Sequence, residues 1–325
     1  MRPGLKRLIA PHSVTRFIVR HWLGVRPLVV HGRPRRLAEL TASSALQSPE
    51  EMLAVCSGQS VRAILPDKGD ESSSVPVAAD VAAKLYGNGM NLSISVAERF
   101  VPGLSEWKEN LAFDLGLPRE TFGRCIVYLS PEGHGMTPHF DANMNFVVQI
   151  RGKKRWQLAP NRHVDSPTER YAMSMASPPE PLVPQLRSKL PTRMPRSAVW
   201  IELVPGSVLF VPRGTWHTTR AVEESVSLNF TFSQQSWSHI LAERLFERLL
   251  RDPRWRRTPC LRTDDPSRTE AQEREVSDLI EVARRELAAM RPDALLRAAR
   301  LDRPGNKSSK VSGEVRKGTA RRGRA

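Results

Sequence analysis

The segment Thr137-Pro138-His139-Phe140-Asp141 restricts the fold more than any other stretch of this chain. Strand side chains alternate with a period of two, so an extended His-x-Asp places an imidazole and a carboxylate on one face. A third ligand is needed to close a metal site. Pro212-Arg213-Gly214-Thr215-Trp216-His217 supplies it, with His217 directly after a predicted strand and a Pro/Gly turn. Two histidines and one carboxylate form the facial triad that holds non-haem Fe(II) and leaves coordination positions open for O2 and a co-substrate.

The middle third reads as β. Cys125-Ile126-Val127-Tyr128-Leu129 is a strand by its β-branched and aromatic content. Asn145 to Ile150 and Lys154 to Leu158 are two runs joined at Arg151-Gly152-Lys153, which predicts a hairpin. Pro205-Gly206 turns the chain into a strand from Ser207 to Val211, and Ser225 to Phe232 is another. In that last strand Ser225, Ser227, Asn229 and Thr231 alternate with Val226, Leu228, Phe230 and Phe232. The polar face is turned to water in an ordinary sheet and inward in a barrel with a polar interior, and the pattern alone does not choose. Residues 160–198, rich in Pro, Ser and Arg, are expected to be a long insertion or lid.

The flanks are different. A helix-like segment around Val14 to Trp22 precedes a short strand within Arg26 to Gly32, and apolar residues recur at helical spacing from Leu37 to Cys56. Asp67 to Ser74 reads as a loop, and Asp114 to Pro118 as a helix end. From Trp237 to Leu250 an amphipathic helix sets Trp237, Ile240, Leu241, Leu245, Phe246 and Leu249 on one side. A second helix is predicted from the capping box Ser267-Arg268-Thr269-Glu270 to about Met290.

Lys+Arg 50 against Asp+Glu 34 gives a net charge of +16, which favours anionic partners such as nucleic acid, acidic protein surfaces or a dicarboxylate. Part of it is concentrated beyond Arg303, where basic residues face the single acid Glu314 and disorder is expected. Cys56, Cys125 and Cys260 lack disulfide or zinc spacing, consistent with a reducing cytoplasm. No run of about twenty apolar residues marks a membrane span.

The stretch from Asn143 to Trp156, following His139 and Asp141, resembles the Jumonji-C (JmjC) cupin-like oxygenases, in particular the protein-hydroxylase branch. The likeness is strong over about residues 120–235. It implies a mainly β fold with flanking α, a double-stranded β-helix of the cupin or jelly-roll kind with N-terminal helices and a C-terminal helical segment. The corresponding division is 1–95 as a buttress, 96–235 as the barrel core, 236–302 as the helical segment and 303–325 as a basic tail.

The resemblance also implies cofactors and roles. Fe(II) is held by His139, Asp141 and His217, and Lys154 pairs with the distal carboxylate of 2-oxoglutarate. Asn145 and Asn229 fall where amides approach metal and co-substrate, and Thr137 and Tyr128 are further contacts to the co-substrate. Each has a plainer reading: Lys154 as a solvated turn residue, Asn145 as a turn former, Asn229 as a strand polar group and Tyr128 as core. His134, His163 and His239 show no partner spacing. The implied activity is hydroxylation of a C–H bond on a protein side chain, with a ribosomal protein in view. The alternatives are an RNA base hydroxylase, using the basic surface and tail, and a metal-binding cupin scaffold without turnover. The C-terminal helices are the expected site of homodimer contact.

Overall fold

A computed structural model describes residues 2–32, 34–66, 69–233, 235–259 and 266–301. The strands are β1 Leu28–Val30, β2 Ser60–Ile64, β3 Ser74–Ala78, β4 Leu92–Ser95, β5 Phe122–Ser130, β6 His139–Phe140, β7 Asn143–Arg151, β8 Lys154–Ala159, β9 Tyr171–Ala172, β10 Val199–Leu203, β11 Val208–Val211, β12 Trp216–Ala221 and β13 Ser225–Ser233. They form an eight-stranded sheet in the order β1-β11-β7-β13-β5-β4-β2-β3 and a five-stranded sheet in the order β10-β8-β12-β6-β9. Neighbours in both sheets are antiparallel. Residues of both sheets line one internal cavity, so the sheets face each other as the two walls of a double-stranded β-helix.

The predicted hairpin at Arg151-Gly152-Lys153 is corrected here. Strand β7 pairs with β11 and β13, whereas β8 pairs with β10 and β12, so the turn hands the chain from one sheet to the other. Gly152 is required there: its φ is 65°, and a Cβ would lie 1.9 Å from the Glu224 carbonyl oxygen. A short turn signal fixes a reversal of the chain, but whether the two arms pair depends on what else competes for them.

The alternation in β13 resolves in favour of the barrel. Ser225 to Phe232 are buried at every position. Val226, Leu228, Phe230 and Phe232 join the main core with Phe146, Val148, Trp107 and Leu111. Ser227 and Asn229 line the cavity on the opposite face. Helices cover the outer face of the large sheet: α1 Leu5–Ile9, α2 Val14–Phe17, α3 Ala38–Thr41, α4 Pro49–Val55, α5 Ala79–Gly87 and α6 Leu104–Asp114. Phe17 meets Phe210 edge-on with centroids 5.1 Å apart, and Trp107 stacks on Phe230 at 6.2 Å. The N-terminal third does more than buttress, since β2, β3 and β4 continue the large sheet beyond β5.

Residues 160–198 are packed. Strand β9 adds to β6 with Phe140 opposite Tyr171, and Val164, Tyr171 and Leu182 share a second core with Phe140 and Trp216. Trp216 is fully buried edge-on to Phe140 at 4.8 Å, so truncating either ring would cost about 3–5 kcal/mol.

After the barrel come α7 Trp237–Leu249, α8 Pro266–Ala288 and α9 Pro292–Ala299. Helix α9 lies past the end near Met290 predicted for the second helix and is not anticipated by the sequence pattern. Of the apolar residues of α7, Ile240 and Leu249 are buried, while Trp237 and Phe246 are 67% and 60% exposed. No described helix is long and apolar enough to cross a membrane. The tail expected to be disordered lies outside the described residues, as does Cys260.

Candidate active site

Strand β6 carries His139 and β12 carries His217, and the two residues are direct cross-strand partners. Their rings lie 4.1 Å apart between centroids, and both are buried. Each Nδ1 donates to a backbone carbonyl two residues earlier, Thr137 at 2.7 Å and Thr215 at 2.9 Å. A carbonyl only accepts, so Nδ1 holds the proton and Nε2 presents its lone pair. Those Nε2 atoms lie 3.9 Å (His139) and 3.7 Å (His217) from the carboxylate oxygens of Asp141. The three side chains therefore offer ligand atoms within 4.8 Å of one another, a spacing one metal ion can bridge. Burial pushes both imidazole pKa values down, so the rings are neutral and ready to ligate. Burial alone would raise the pKa of Asp141, but His139, His217 and Arg170 together hold it below the usual carboxylate range.

Asp141 is fixed from two sides. Asn145 Nδ2 donates to Oδ2 at 2.8 Å, and Arg170 Nε donates to Oδ1 at 3.2 Å. Asn145 Oδ1 in turn accepts from the Thr231 hydroxyl at 2.8 Å, which uses the register that sets Thr231 opposite Asn145. Asn145 is thus a strand residue positioned for Asp141 and not a turn former.

Lys154 opens β8 and is 3% exposed, far from the solvated turn residue that its charged neighbours suggest. Its Nζ donates to Ser130 Oγ at 2.9 Å and lies 5.8 Å from the Tyr128 ring centre. It has no ion-pair partner among the described residues, and burial holds its ammonium down to about 8. Tyr128 and Asn229 line the same cavity, and the Asn229 Oδ1 is buried without a hydrogen-bond partner. Thr137 does not line it. The Thr137 hydroxyl donates to the Gly69 carbonyl at 3.2 Å, and the part of the residue that serves the site is its carbonyl on His139.

Several lining residues carry no signal in the sequence. Trp156 stacks on His217 at 5.5 Å and 22°, with a buried Nε1 that has no partner. Glu71, from the segment read as a loop, accepts a hydrogen bond from the Tyr128 hydroxyl, and burial raises its pKa. Asp70 beside it is fully buried and ion-paired with Arg170. Glu71 and Asp70 lie in a segment without strand periodicity and outside the stretch that carries the family likeness, so neither signal could find them. His134, His163 and His239 stay outside the cavity.

The residues present fit a metal and a dicarboxylate. Three convergent donors await a cation, and a buried lysine with two unused N–H groups awaits an anion. The orphaned Asn229 Oδ1 and Trp156 Nε1 add hydrogen-bonding capacity beside them. The cavity is about 30 Å³, room for roughly one water, and Glu71 forms part of its wall.

The JmjC domain family matches residues 116–240. The uncharacterized protein YxbC of Bacillus subtilis is 30% identical over 256 residues, spanning 78% of this chain and 77% of that protein. The bifunctional lysine-specific demethylase and histidyl-hydroxylase NO66 of Drosophila willistoni is 29% identical, spanning 48% of this chain and 19% of its own length. Ribosomal oxygenase 1 of Gallus gallus is 25% identical over 73% of this chain and 38% of its own length. The chain thus spans well under half of either named oxygenase. With the His-Asp-His cluster, the buried Lys154 and this pattern of likeness, the chain belongs to the JmjC-domain family of Fe(II)- and 2-oxoglutarate-dependent oxygenases.

Proposed function

We propose that this chain hydroxylates a C–H bond of a protein side chain, with a ribosomal protein as the substrate class. The observation that carries the reading is the His139, Asp141 and His217 cluster sharing one small cavity with the buried Lys154. The names of the two larger relatives, a histidyl-hydroxylase and a ribosomal oxygenase, support the choice of substrate.

When bound, Fe(II) and 2-oxoglutarate supply O2 activation coupled to decarboxylation, which yields succinate, CO2 and a hydroxylated product. The chain provides placement and exclusion of water. His139 and His217 bind as neutral imidazoles, so no proton must leave them first. Asn145 fixes the Asp141 carboxylate. Lys154 supplies the charge for the distal carboxylate, and the Tyr128 hydroxyl is a donor to the same group once Glu71 turns aside. Asn229 presents an amide to the co-substrate, and Trp156 covers His217 and keeps water from it.

We assign catalysis to residues 96–235, with 1–95 completing the large sheet and the exposed apolar side of α7 making a homodimer contact. Cys56 and Cys125 are buried free thiols, in keeping with a cytoplasmic setting. The test has two arms. Anaerobic addition of Fe(II) and 2-oxoglutarate should give a weak visible charge-transfer band, whose absence from folded, iron-loaded protein rejects the oxygenase reading. Peptide masses from ribosomal proteins of cells with and without the gene should differ by one oxygen atom at a single side chain. The same mass gain on RNA alone would reject the protein substrate.

A further inference from the structure

We propose that Arg170, delivered by the 160–198 insertion and anchored on Asp70, is a positioning residue for the metal-ligating carboxylate of Asp141. The inference rests on the metal reading above and adds a residue to it.

All three nitrogens of the Arg170 guanidinium donate to carboxylates. Its terminal nitrogens donate to Asp70 Oδ1 at 3.0 Å and Oδ2 at 2.7 Å, a two-pronged pair that fixes the plane of the group. Nε remains, and it donates to Asp141 Oδ1 at 3.2 Å. Asp70 is itself immobilised. It is fully buried, and its Oδ1 accepts from the Ser72 backbone N–H at 2.8 Å and from the Ser72 hydroxyl. Asp141 thus has Oδ2 held from the large sheet by Asn145 and Oδ1 held from the insertion by Arg170, so the carboxylate plane cannot turn.

Stability alone does not explain this arrangement. Removing a carboxylate and a guanidinium from water costs about as much as their pairing returns, and an apolar pair in their place would hold the insertion equally well. A directed donor for Asp141 is what an apolar pair cannot supply. A lysine at 170 keeps the charge but lacks the planar fork that reaches two carboxylates at once.

The test uses Co(II) binding to the full chain, followed through the ligand-field bands of the ion in visible light. The doubly substituted Asp70→Asn/Arg170→Gln protein avoids leaving one buried charge unpaired. It should keep the wild-type far-UV circular dichroism and bind Co(II) roughly 10- to 100-fold more weakly with shifted bands, the usual cost of losing a group that orients a metal ligand. Arg170→Lys should show the same loss. Wild-type affinity and bands in either variant would overturn the inference and leave Arg170 as a tie between insertion and barrel. Failure of the wild-type chain to bind Co(II) would instead sink the metal reading itself, so the two failures are distinguishable.

Discussion

Two hollows in this molecule differ in size and in chemistry, in opposite senses. The outer cleft between β1 and β10 encloses about 770 Å³, walled largely by apolar side chains such as Val29, Leu158, Val199 and Ile201. The cavity between the sheets has about 30 Å³ and holds the only cluster of metal-ligating side chains found among the described residues. Volume is a poor guide here. A narrow space lined by buried groups strengthens every charge interaction inside it, because little water fits there to screen them. Polar groups there must find partners, and those without one, such as Asn229 Oδ1, mark places for a ligand.

The contrast breaks most sharply at His217. His217→Ala should abolish measurable Co(II) or Fe(II) binding by calorimetry, whereas Ile201→Ser in the cleft should leave affinity at the wild-type level; equal effects from the two would erase the distinction. A smaller effect is expected at Lys154. Lys154→Ala should weaken 2-oxoglutarate binding to the Co(II)-loaded chain by about 10- to 100-fold, or about 1.4–2.8 kcal/mol, and spare the metal.

The same residue carries a pH signature. The distal carboxylate needs the ammonium form, and burial holds that form's pKa near 8, so 2-oxoglutarate affinity should fall as pH rises through about 8. In the free protein the sign is reversed. The folded state has already released a proton that the unfolded chain keeps up to about 10.5, so Lys154 adds stability between those limits as pH rises. The mildest effect belongs to Glu71. Glu71→Gln keeps the hydrogen bond to Tyr128 but removes a negative charge from the wall, and 2-oxoglutarate should bind several-fold more tightly in a fluorescence titration. Unchanged affinity would mean that Glu71 stays clear of the co-substrate.

What could be read in advance follows from the range of each signal. His139 and Asp141 sit two apart on extended chain, and β13 alternates over eight residues, so local periodicity and family likeness sufficed to bring them to one face. Lys154 was placed by its register in the JmjC-like segment against a local charge run that pointed to solvent. Asp70, Glu71 and Arg170 were invisible because each comes from a segment without periodicity, held in place by contacts 29 to 100 residues away in sequence. The 151–153 turn was misread for a related reason: turn chemistry reports direction, while pairing is decided by β11 and β13 on one side and β10 and β12 on the other.

The direct pairing of His139 with His217 has a consequence for how the chain matures. A slip of one residue in β12 would turn His217 out of the cavity and bring Trp216 in, so no ligand set exists until this register is correct. Metal capture would then select for the correct alignment of β12 with β6. An ion bound there would stabilise only chains in which β6 and β12 are already paired in the right frame within the smaller sheet, so metal supply should raise the yield of correctly registered protein.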